Sequence, residues 1–116
     1  MDKSILASLL LRLGLAFVFS YAAISALVLP DAWIGFYPEW MRSLVPDTML
    51  LYFHSAAEIV LALWLISGKK VFYAAFLSGL WILGIILGTL GAFLITFRDV
   101  AILLSAVALA VLEKGK

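Results

Sequence analysis

Long, nearly unbroken apolar stretches organise this chain, and short polar clusters punctuate them. The first stretch runs over 4–29 and is closed by Pro30; the second runs over 48–67, between Pro46 and the turn Ser67-Gly68-Lys69-Lys70. A third begins at Val71 and stays apolar over 71–95. The last covers 97–112, is apolar from Val100, and is short of a full span unless the residues before Arg98 also lie below a membrane surface. A spanning helix needs about 20 predominantly apolar residues, a length the first three stretches reach. The predicted fold is therefore an all-α membrane protein: a four-transmembrane-helix bundle forming one domain over 1–116, with an aromatic interfacial segment between helices 1 and 2.

Composition sharpens that reading. Hydrophobic residues make up 66% of the 116 positions and charged residues 13%, too apolar for a soluble domain of this size. The first stretch lacks a small-residue cleavage pattern closing a short core, so it is expected to be a retained helix and not a signal peptide. The chain has no cysteine, which excludes thiol-disulfide exchange or an iron-sulfur cluster on its own thiolates. Its net charge of +1 comes from basic residues scattered at the ends of the apolar stretches, so no nucleic-acid partner is expected. Lys3, Lys69, Lys70, Lys114 and Lys116 fall at one set of ends and only Arg42 and Arg98 at the other. The positive-inside rule then places a multi-pass protein in the cell membrane, in contact with lipid, with both termini cytoplasmic.

The segment over 30–47 carries Asp31, Glu39 and Asp47 against Arg42. It also holds Trp33, Phe36, Tyr37 and Trp40 at i, i+3, i+4, i+7, one aromatic stripe if the segment is helical, although Pro38 argues against an uninterrupted helix. Two readings stand: a belt in the headgroup layer, or a lid with Trp33 and Trp40 at the entrance to a lipid-facing site. In the third stretch Gly84, Gly88 and Ala92 follow at four-residue steps, after a similar pair, Ala75 and Gly79. That spacing allows close helix packing, within the chain or between copies of it in a homo-oligomer.

Five ionisable residues lie inside or at the edge of these apolar segments: Arg12, His54, Glu58, Arg98 and Asp99. Hydrocarbon offers a charge no partner, so they are expected to meet one another or water. Counting helix rise puts Arg12 about 12 Å from the cytoplasmic edge and Glu58 about 15 Å from the outer edge, which makes an Arg12–Glu58 ion pair geometrically available. His54 and Glu58, four apart, share a helix face. Two such ligands without a cysteine or a second histidine do not make a metal site. Thr96-Phe97-Arg98-Asp99 fits a capping box, which would account for Asp99 structurally. Alternatively Arg98 and Asp99 lie near the depth of His54 and close a network of alternating sign, either architectural or ligand-binding.

Four short motifs follow one another along the chain: Leu11-Arg12-Leu13-Gly14; Pro30 to Pro38, reading PDAWIGFYP; Glu58 followed by Leu61-Ala62-Leu63-Trp64-Leu65; and Phe97-Arg98-Asp99-Val100. In this it resembles the DoxX family of small four-helix membrane proteins, over nearly its whole length. Many relatives carry a lysine where this chain has Ser25-Ala26-Leu27. The resemblance implies a four-helix bundle beside membrane redox chemistry, since related proteins are subunits of thiosulfate:quinone oxidoreductase or partners of membrane oxidative-stress complexes. It implies a noncatalytic or accessory oxidoreductase subunit with an oxidoreductase subunit as partner, its polar cluster facing a quinone-like or other amphipathic ligand; no recognisable motif encodes a cofactor. A purely structural bundle and a small four-helix transporter are the alternatives; the second is disfavoured because a carboxylate neutralised by arginine is a poor cation trap.

Overall fold

The computed structural model describes residues 2–34, 37, 39–88 and 99–114, and every regular element among them is an α-helix. In chain order these are α1 (Lys3–Val28), α2 (Pro30–Ile34), α3 (Glu39–Leu44), α4 (Asp47–Ser67), α5 (Val71–Gly88) and α6 (Asp99–Glu113). Prolines and one glycine set the long-helix boundaries. Pro30 forces Leu29 out of helical geometry (φ −124°, ψ 64°) and starts α2 at a position where its missing N–H costs nothing. Pro46 flanks α4 at its start, and Gly68 ends it in the left-handed region at φ +76°. Asp2 accepts from the Ser4 backbone N–H at 3.0 Å and so caps α1.

Helix α1 packs against α4, α5 against α6, and α6 returns onto α1, while α4 and α5 touch more sparsely. The shared core is built from Leu15, Phe19, Leu61, Leu65, Ala74, Ala75, Ile82, Ala106 and Leu109. Alanine at 74, 75 and 106 lets the backbones approach closely. A Cβ placed on Gly79 would lie 3.8 Å from both Ala106 and Leu103, so this position serves the α5–α6 contact, whereas a Cβ on Gly84 would meet nothing within 4 Å. The two small-residue sets thus differ: Ala75 and Gly79 pack internally, and Gly84 faces outward.

Two helices, α1 and α4, are long and apolar enough to cross a membrane. Within the protein, 22% and 39% of their most apolar windows are buried, and the rest of each window faces outward. Phe17, Ile24, Phe53 and Leu63 are among the large apolar side chains left more than half exposed. The third predicted helix is seen as Val71–Gly88; residues 89–95, including Ala92, lie outside the described residues, as do Thr96, Phe97, Arg98 and Lys116. The connector is two short helices. Trp33 and Trp40 fall on two separate helices, α2 and α3, and Phe36 and Pro38 of the expected stripe lie outside the described residues. Trp40 is 64% exposed on α3, while Tyr37 is partly buried against α4.

Candidate functional site

Arg12 does not pair with Glu58. Its Nε donates to the Leu65 carbonyl at 2.7 Å and an Nη to the Ile66 carbonyl at 2.9 Å, which satisfies two carbonyls that the end of α4 leaves without helical partners. The helix register explains the correction. Ser55 Oγ donates to the Ala23 carbonyl at 3.2 Å, so in this antiparallel pair the residue opposite Glu58 is near Phe19 or Ser20, about 10 to 12 Å along α1 from Arg12. The guanidinium also explains Gly68: an alanine Cβ there would sit 2.8 Å from an Arg12 Nη.

Gly68→Ala should therefore destabilise the protein twice over, through the left-handed φ, about 1 kcal/mol, and by unseating the guanidinium, about 2 kcal/mol more. In an Arg12→Leu background only the first cost should remain. Thermal unfolding of the four proteins in detergent checks this; equal losses in both backgrounds would show that the guanidinium is not seated there.

Glu58 is paired with His54. Glu58 is 3% exposed, and His54 Nε2 approaches its Oε1 at 3.1 Å from the same face of α4. The approach is close but misaligned: Oε1 accepts no hydrogen bond of good geometry and keeps capacity to accept one. The His54 ring lies between two aromatics, Tyr37 of the connector (centroids 5.7 Å, edge-on) and Trp81 of α5 (5.2 Å, tilted). The Tyr37 hydroxyl and the Trp81 indole N–H are both buried without a hydrogen-bond partner among the described residues. So is the hydroxyl of Ser78, one turn along α5 from Trp81. Burial foremost, and the negative charge of Glu58 second, hold the Tyr37 phenol protonated well above its usual range. Tyr37 is thus always a donor at physiological pH.

Two donors and one acceptor converge around one imidazole, where leaving such groups unsatisfied costs free energy. Among the described residues no three His, Asp or Glu side chains come together to hold a metal ion. Asp99 opens α6, is partly buried and is itself engaged; the α5–α6 contact at Gly79 and Leu103 to Ala106 carries it to about one turn above Trp81. Arg98, the remaining member of the expected network, lies outside the described residues. Of the expected entrance residues, Trp33 is tied to α1, its Nε1 donating to Ser25 Oγ at 2.9 Å, and Trp40 lies exposed and apart from the cluster.

Sequence reasoning passed over Tyr37 and Trp81. A signal existed for Trp81: it sits ten residues, about 15 Å, into an apolar stretch, where an indole N–H needs a hydrogen-bond partner. Tyr37 was visible only as one member of a stripe. At the opposite end of the bundle, Ser8 donates to the Glu113 carboxylate and ties the start of α1 to the end of α6. No family model, no curated protein sequence and no solved structure matches the chain.

Proposed function

We propose that this chain is a DoxX-like, multi-pass membrane protein, a four-helix bundle that serves a membrane redox system as a noncatalytic subunit or accessory. It does so by holding the head of a quinone-class ligand at the His54–Glu58 cluster. The observation that carries the reading is the convergence of Tyr37 OH, Trp81 N–H and Glu58 Oε1, three buried polar atoms without hydrogen-bond partners among the described residues, around one imidazole. Two donors suit a quinone carbonyl, and a carboxylate acceptor suits a quinol hydroxyl, so both redox forms find complementary groups. The chain has no cysteine, and electrons in this scheme pass through a partner oxidoreductase subunit.

A benzoquinone with a ten-carbon tail, titrated into protein in phosphatidylcholine nanodiscs, should quench tryptophan fluorescence saturably, near one quinone per chain. Quenching that rises linearly with the membrane concentration of quinone, without saturation, would sink the reading.

The lysine asymmetry supports cytoplasmic termini in this arrangement, since Lys3, Lys69, Lys70 and Lys114 gather at the end of the bundle opposite the connector. A cysteine at Thr48 should react with an impermeant thiol reagent added outside intact cells, and one at Lys69 should not. The reverse pattern overturns the orientation.

A further inference from the structure

The sparse contact between α4 and α5 leaves a groove of about 530 Å³, open along the outer face of the bundle. Ala56 and Ala57 line it beside bulkier Phe53, Val60, Trp64 and Leu77. From Phe53 to Trp64 it runs about 16 Å along α4. Trp81 belongs to both features: it lines the groove, and its ring meets His54 at a tilt in the polar cluster, where its N–H is buried. The apolar groove and the polar cluster therefore share one side chain as their common wall.

We propose that this groove seats the apolar tail of the ligand whose head the His54–Glu58 cluster holds, with Trp81 at the junction of head and tail. The proposal rests on the quinone reading above and adds the chemical class of the occupant: an amphiphile with one hydrogen-bonding head and one long, thin hydrocarbon tail. Three observations favour a chain over a partner helix. The volume lies in the range of small-molecule sites, about 300 to 1,000 Å³. The groove presents two tryptophans and a phenylalanine, whereas faces that receive another helix are enriched in small residues. And the polar groups without hydrogen-bond partners among the described residues adjoin the groove at Trp81, where a tail would lead to a head. Dispersion contacts along the groove hold the tail, since lipid and groove are equally apolar.

The test uses the full chain in phosphatidylcholine nanodiscs and a benzoquinone carrying a ten-carbon tail with a mid-chain diazirine. After irradiation, adducts should map to 53–64 and 77–81 at about tenfold the yield on α1 and α6, corresponding to about 1.4 kcal/mol of preference. Ala57→Phe, and independently Val60→Trp at a position already 61% exposed, should remove that preference by filling the groove. Saturable quenching by a tailless benzoquinone should persist in both variants. Adducts spread evenly over the apolar faces overturn the tail site while tailless binding leaves the head site standing. Loss of saturable quenching by the tailless quinone in the wild type defeats the head reading itself. Equal groove labelling by a diazirine-bearing phospholipid identifies lipid as the occupant and overturns the proposal.

Discussion

His54→Leu should destabilise the folded protein by about 3 to 5 kcal/mol, and His54→Leu/Glu58→Leu should regain most of that loss. The reason is the depth of Glu58, which is 3% exposed and has His54 as its ion-pair partner among the described residues. Deleting the imidazole leaves a buried carboxylate facing aromatic rings, and a charge or proton-sharing group stranded in that way costs far more than the pair contributes when intact. Deleting both groups replaces a polar pair by hydrocarbon in an otherwise apolar helix. The opposite single variant, Glu58→Leu, should cost less, because His54 retains 17% side-chain exposure and is tolerable as a neutral ring against Tyr37 and Trp81. Thermal unfolding in detergent of the wild type, both single variants and the double variant measures the coupling. Additive losses would mean that the 3.1 Å approach carries no energetic interaction and that Glu58 finds its compensation elsewhere.

The helices were legible in the sequence because their boundaries are enforced locally. Pro30, Pro46 and Gly68 stop or start helices wherever the rest of the chain lies, and the expected 4–29 and 48–67 became Lys3–Val28 and Asp47–Ser67. The all-helical character and two segments capable of crossing a membrane followed from apolar length alone. Partners between helices were harder to read. Depth counting treated α1 and α4 as starting at opposite surfaces of a slab about 30 Å thick, but α1 has 26 residues and spans about 39 Å, so position along it does not fix depth. Arg12 was therefore assigned to Glu58, when the helix end at Leu65 and Ile66 offered two carbonyls within reach of its fork. His54 and Glu58 were found because i, i+4 on one helix is a local relation. Tyr37 and Trp81 converge on them from two other elements, and no single-helix pattern encodes that convergence.

The His54–Glu58 pair by itself suits a structural bundle as well as a binding site, and Tyr37 separates the two. Its hydroxyl is buried without a hydrogen-bond partner among the described residues, so in the ligand-free protein it contributes nothing that phenylalanine would not, and it carries a desolvation cost of about 1 to 3 kcal/mol. Tyr37→Phe keeps the ring against His54 and removes only the donor. Ligand-free stability should then stay level or rise by about 1 kcal/mol, while affinity for the ten-carbon benzoquinone falls about tenfold, the loss expected for one direct hydrogen bond. Trp81→Phe is a poorer probe, because shortening a ring packed against the core opens space and lowers stability whatever the N–H does. Unfolding temperature and quench titration on the same Tyr37→Phe preparation give both quantities. A rise in stability without loss of affinity would make the hydroxyl a tolerated defect of packing, and a fall in both together would make it a structural contact; either result removes Tyr37 from the site, and the function proposed for the cluster loses its principal donor.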